Sequence, residues 1–208
     1  MNQNKESMKE VIPLFPHNIV VFPGQELTLR ISEKRYINLT QDCWQSNATF
    51  GIQPVIKNQV QNTGTEVSII KLDDRYSQDQ VDVTIKGKRI YRLLTRRNSI
   101  QNETYSNGVV AFVSNNTEHS RNGQEKLMAC LRQFEELLVK SYVGSRDMKN
   151  VVSAYDLVHK VGLSLKKQYA LLANPSDTGR ETILLNHCRQ QFAIEQQISS
   201  LSDKLVDN

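Results

Sequence analysis

Cysteine, proline, glycine and aromatic residues are all sparse in this chain, and charge of either sign is nearly balanced. The cysteines are three, Cys43, Cys130 and Cys188, odd in number and far apart, which argues against a disulfide framework and suits a reducing compartment. No two have the close spacing of a zinc knuckle. His187 and Cys188 are neighbours, but adjacent helical positions point about 100° apart, so they read as small, partly buried side chains rather than the start of a metal site. No apolar run approaches the ~20 residues that cross a bilayer. Met1 to Glu10 is charged and lacks the apolar core of a secretory signal, so a cytoplasmic protein is expected. Lys and Arg number 26 against 22 Asp and Glu, a net charge of +4 that is mild for a dedicated nucleic-acid binder.

The signatures of common catalytic machinery are missing as well. A phosphate loop has the form Gly-x4-Gly-Lys-Ser/Thr. Here Gly87-Lys88 is followed by Arg89, and Asp82 stands five residues before Gly87. There is no Gly-x-Ser-x-Gly elbow and no His-Glu-x-x-His helix. The four histidines, His17, His119, His159 and His187, sit in unrelated segments. No catalytic, cofactor-binding or metal-binding residue is therefore assigned, no cofactor is expected, and the chain reads as a non-enzyme.

What is present is an ordinary soluble composition, 38% hydrophobic and 23% charged in 208 residues, enough for one large or two small domains. Its many Asn, Gln and Ser residues suggest long solvated loops. From Val11 to about Val113 the signals are those of strands. Ile19-Val20-Val21-Phe22 is a short apolar run closed by Pro23-Gly24, and Leu27, Leu29 and Ile31 alternate with polar residues. Phe50 to Ile56 forms another run, Val67 to Leu72 alternates before the polar stretch Asp73 to Gln80, and Val81, Val83 and Ile85 alternate up to Gly87. Val109 to Val113 is the last β-branched segment. Glu33 to Trp44 carries Tyr36, Leu39 and Cys43 at helical spacing, a short helix between strands.

After the polar stretch Ser114 to Gln124 the period changes. Leu127, Leu131, Phe134, Leu138 and Tyr142 predict a helix ending near Gly144, and Val151, Tyr155, Val158 and Val161 a second one stopped by Gly162. Ser164 is a candidate cap for a third helix through Leu172, closed by Asn174-Pro175. A last helix follows Ser176, with Ile194, Ile198, Leu201 and Leu205 spaced as in a bundle. The expected fold is α+β: a twisted, barrel-like sheet domain over residues 1–116, then an α-helical bundle over 124–208.

Several segments together resemble one family. Ile12-Pro13-Leu14-Phe15-Pro16, Val20 to Gly24 and Leu27 to Ile31 are similar to the opening of the amino-terminal, substrate-binding domain of Lon proteases. Glu33, Arg35 and Tyr36 resemble its Glu-x-Arg-Tyr segment, Asp42-Cys43 the end of its first helix, and Phe50-Gly51-Ile52 its next strand. Gly64-Thr65, and Val81 to Leu93 with Gly87 and Arg89, resemble its later strands and the turn between them. Leu163-Ser164-Leu165, Lys167 to Leu172 and Arg180 to Leu185 are similar to its helical half. The chain departs at His17-Asn18, Ser32, Ser164 and the stretch Lys57 to Gly64. Most of the signature is fold-building in character. Pro13, Pro16 and Pro23 suit strand ends, Gly24 and Gly87 suit special backbone angles, Glu33 and Arg35 suit a pair at the helix start, and Tyr36 suits a lid on the sheet.

The resemblance implies a PUA-like β domain that binds unfolded or damaged polypeptide, or presents a partner protein, without the ATPase or peptidase modules of a Lon protease. Apolar contact along a groove would do the binding, at the junction of the halves or at the loops near Asn58 to Gly64; no substrate-binding residue is assigned. A second reading is RNA binding, because PUA domains bind RNA and Lys86, Lys88, Arg89, Arg92, Arg96 and Arg97 cluster around Tyr91. Against it, a strand that turns its charges outward while Ile90, Leu93 and Leu94 pack inward gives the same pattern, and Asp73, Asp74, Asp79 and Asp82 lie close enough in sequence to neutralise it. A third reading is an adaptor to a separately encoded protease. No membrane partner is expected.

Overall fold

The computed structural model of the chain describes residues 9–77, 80–97, 105–113, 155, 158 and 161–206. It divides into two compact units, residues 1–115 and 116–208. The first holds β1 (Lys9–His17), β2 (Glu26–Ile31), α1 (Lys34–Ser46), β3 (Phe50–Ile56), β4 (Gln59–Val60), β5 (Thr63–Ser77), β6 (Gln80–Arg97) and β7 (Asn107–Phe112). In the second are α2 (Leu165–Ala173) and α3 (Asp177–Val206). The helices expected over Leu127 to Tyr142 and most of Val151 to Val161, and the polar joint 114–124, lie outside the described residues.

The sheet is mainly antiparallel and its pairings return to their start. β1 pairs with β7, β7 with β6, β6 with β5, β5 with β3, and β3 in parallel with β1; β2 extends β6 and β4 extends β3. β1 manages this by changing partner halfway. Lys9 to Pro13 run against β7, and Leu14 to His17 run beside β3. Pro13 and Pro16 thus lie within a strand and not at its ends. Pro13 occupies the switch point, where one ladder stops and the other begins, so its missing N–H costs little.

Two apolar clusters follow from side-chain alternation. One gathers Phe15, Leu29, Ile31, Phe50, Ile52, Val67, Val81, Val83 and Ile85 beneath α1, which contributes Tyr36, Ile37, Leu39 and Cys43. Tyr36 stacks on Phe15 at 4.2 Å between centroids, a contact worth about 1 kcal/mol beyond the area it buries. Arg35 pairs with Glu33 at 2.6 Å where the helix begins. The other cluster is Ile12, Leu14, Tyr91 and Val110, with Leu93 and Phe112 partly buried against it. Leu14 and Phe15 serve opposite faces of one strand, and this is what makes two cores from one sheet.

Three further expectations need correction. Ile19 to Phe22 is not a strand, although Val20, Val21 and Phe22 are fully buried. Side chains satisfy part of its polar backbone: the Gln25 amide oxygen, three residues on, accepts from the Phe22 N–H at 2.9 Å, and the distant Thr65 donates its hydroxyl to the Val21 carbonyl. Gly24 does take a left-handed angle, φ 82°. Gly87 does not, and it is no turn; β6 continues through it, with a register shift in its pairing to β5 between Gly87 and Ile90. A Cβ there would run into the Phe22 carbonyl, so close packing is what requires glycine. Finally, the polar stretch after Leu72 belongs to β5 and β6, which pair as far as Ser77 and Gln80.

In the second unit, α3 starts as its sequence suggests, with the Ser176 hydroxyl accepting from the Gly179 N–H at 3.3 Å. Ser164 stands at the start of α2 but makes no side-chain cap bond. Leu184, His187 and Cys188 bury the first turns of α3. Ile194 and Ile198, expected in a bundle seam, are 48% and 55% exposed.

Candidate functional site

The three strands β1, β7 and β6 place two very different surfaces back to back. On the inner one, Tyr91 is fully buried, and Gly51 and Gly64 clear its space: a Cβ on either would fall within 2.6 Å of the tyrosine hydroxyl. That hydroxyl donates to the Ile52 carbonyl at 3.3 Å, and burial pushes its pKa far up. On one side of Tyr91, Arg89 donates to the Glu66 carboxylate at 2.6 and 3.0 Å, reaches Glu10 at 3.4 Å and lies 3.5 Å over the Phe112 ring. Glu66 is almost fully buried and also accepts from the Thr49 hydroxyl at 2.8 Å. Burial works to raise its pKa, but the hydrogen bonds from Arg89 and Thr49 and the Arg89 charge outweigh it and hold the carboxyl below its ordinary value. Further along β6, Arg96 donates to buried Gln53 at 2.9 Å.

The outer surface of the same strands is set by register. Lys9 stands opposite Ala111, which stands opposite Arg92; Val11 opposite Val109, opposite Thr95; Pro13 opposite Asn107, opposite Arg97. A bulge inserts Leu94 between Leu93, which enters the core, and Thr95. Leu94 is therefore 47% exposed and not packed inward, and Val11 is 52% exposed. With strands about 4.8 Å apart and alternate residues about 6.7 Å apart, the face spans roughly 10 Å by 13 Å. Among the described residues of this unit, Ile70, Val60 and Trp44 are the other large exposed apolar side chains, at a second bulge, a short hairpin strand and α1. None of them shares a ladder row with Val11, Val109 and Thr95.

The basic cluster read from the sequence is taken apart by these contacts. Lys86 pairs with Glu26 at 2.7 Å, Arg89 with Glu66 and Glu10, and Arg96 with Gln53. Tyr91, the aromatic at its centre, offers no face to a base. Asp82 and Asp73 do not neutralise the remainder: Asp82 takes Arg30 at 2.9 Å, and Asp73 lies 3.7 Å from Lys71, all on the β2–β6–β5 extension. Lys88, Arg92 and Arg97 stay exposed, and among the described residues neither they nor Lys9 has an ion-pair partner. In the second unit, both ring nitrogens of His187 are engaged, one by the Val161 carbonyl at 2.8 Å and the other by the Lys167 amine at 3.1 Å.

Comparison with known proteins decides the family. The model for the ATP-dependent protease La (LON) substrate-binding domain matches residues 11–187. The chain belongs to this family. Among solved structures, the Lon N-terminal domain protein from Xanthomonas campestris superposes with a TM-score of 0.61 at 22% identity, covering 83% of this chain and 95% of that one. The N-terminal domain of Mycobacterium avium complex Lon protease gives 0.65 at 14% identity, covering 86% and 98%. At these identities the likeness is one of fold. No curated protein matches the chain. The LON match begins at Val11, so it takes in the whole exposed face except Lys9, together with α2 and the buried start of α3. Sequence reasoning about the LON domain did not find that face. Its available signals were the Leu93-Leu94 doublet, which breaks the alternation of β6, and Val109, whose partners only the ladder reveals.

Proposed function

We propose that this chain is a non-catalytic polypeptide-binding module that holds exposed, extended segments of unfolded or damaged proteins, acting in the cytoplasm without nucleotide turnover. Membership of the LON substrate-binding family supports binding of polypeptide, and the match falls on that domain alone. The observation that carries the reading is the Val11–Val109–Thr95 row with Leu94 beside it. The apolar side chains Val11, Val109 and Leu94 serve neither core, although the same strands bury Ile12, Leu14, Tyr91 and Val110 on their other face. Apolar surface left to water on a stable scaffold gains free energy when covered, about 25 cal/mol per Å².

The test compares one protein in two states. The chain should bind a reduced, alkylated, permanently unfolded protein and ignore its native form, with little loss of affinity as salt rises, because apolar contact is barely screened. It should neither hydrolyse ATP nor degrade casein. Equal binding to native and unfolded forms, or turnover that survives repeated purification and disappears on a point mutation, would overturn the reading.

A further inference from the structure

Taking polypeptide binding as given, we infer that the outer β1–β7–β6 face selects extended segments of about four residues, apolar within and acidic at each end. The inference rests on where the charges lie that have no ion-pair partner among the described residues. Arg92 is opposite Ala111 in the first row and Arg97 opposite Asn107 in the last, with the Leu94 bulge and Thr95 between them. Lys9 adds a third cation at the far corner of the first row. Three other exposed cations of β6 are engaged elsewhere, Lys86 with Glu26, Arg89 with two carboxylates and Arg96 with Gln53, while Lys88 is exposed but lies outside the three rows of the face. Within the face, the cations left over are thus those in the rows on either side of the apolar one.

Their separation fits one kind of occupant. Two ladder rows apart is roughly 13 Å, the span of about four residues of extended chain at about 3.3 Å each. A segment lying along β6 would set its inner side chains on Val11, Val109 and Leu94 and bring a carboxylate to Arg92 at one end and to Arg97 at the other. Guanidinium groups hold carboxylates bidentately, so the pair would also fix where the segment sits. A basic segment would meet like charge at both ends and be rejected.

Three fluorescent peptides test this, each with the same four apolar residues bracketed by Asp, by Ser or by Lys. The Asp-bracketed peptide should bind about tenfold more tightly than the Lys-bracketed one at low salt, and the gap should close as ionic strength passes the point where the Debye length falls below ~8 Å. Arg92→Glu with Arg97→Glu should invert the order. Val11→Ser with Leu94→Ser should weaken all three peptides together. If the three bind equally, or the reversal leaves their order unchanged, the selectivity is wrong while polypeptide binding stands. If the unfolded protein binds but no peptide does, this face is not its site. If neither binds and a single-stranded oligouridylate does, with affinity falling steeply in salt, both this inference and the polypeptide reading fall.

Discussion

The inner and outer faces of β1, β7 and β6 are made by neighbouring residues of the same strands, yet they obey opposite rules. Inside, Tyr91 occupies space that Gly51 and Gly64 leave for it, and Arg89 is held by two carboxylates and an aromatic ring. Outside, Val11 and Leu94 touch water, and Arg92 and Arg97 have no ion-pair partner among the described residues. One face is committed to holding the fold; the other is available for something else. The family signature is drawn largely from the committed side, including Gly64, Gly51 and Arg89, which is why a strong resemblance said little about a binding site.

Substitutions can break this contrast in order of size. Tyr91→Ala should cost the most, about 3–5 kcal/mol, because it empties the second core and leaves a cavity. Gly64→Ala should come next, about 3 kcal/mol at the top of the range for overpacking, since the new methyl group meets the Ile52 carbonyl as well as Tyr91. Both are read by denaturant unfolding. A Gly64→Ala protein of wild-type stability would show that the interior is looser than the distances imply.

Arg89→Met should cost about 2 kcal/mol at neutral pH, because Glu66 stays buried with only Thr49 to satisfy it. The pH dependence sharpens this. In the wild type the folded pKa of Glu66 lies below its ordinary 4.5. Its contribution is therefore whole above that pH and lost as pH falls through the folded value. Without Arg89, burial, the largest single influence, works to raise the folded pKa, so Glu66 should destabilise at neutral pH and regain stability on acidification. His17, whose pKa is lowered by burial, loses stability on the acid side in both proteins and cancels in the difference. Identical pH profiles for the two proteins would remove Arg89 from its structural role.

On the outer face the expected effect is small. Val11→Ser and Leu94→Ser should each change stability by less than about 0.5 kcal/mol, as exposed positions without special geometry do. A loss of several times that would mean the face is part of the fold after all.

The sequence made α1 legible, because Tyr36, Leu39 and Cys43 recur with helical spacing and all three are buried. The half-buried alternation of β2 was equally clear. Other features were hidden because their causes are not local. Ile19 to Phe22 looks like a strand by composition, but the distant Thr65 takes the Val21 carbonyl, and Gly87 binds the backbone of the turn that follows at Gly24 and Gln25. Tyr91 looked like an exposed aromatic among basic residues, and only the two distant glycines show that it is an interior side chain. Register hid the outer face for the same reason. Val11, Val109 and Leu94 are far apart in sequence, and nothing in any one segment says that the ladder brings them together.

Methyl-group NMR tests the division between the two faces most directly. With isoleucine, leucine and valine methyls labelled, an unfolded polypeptide is titrated into the protein. The methyls of Val11, Val109 and Leu94 should shift together and saturate together, while those of Leu14 and Val110, on the opposite face of the same strands, stay where they are. Shifts confined to other parts of the molecule, or shifts equally large at Leu14 and Val110, would contradict the assignment of binding to the outer face.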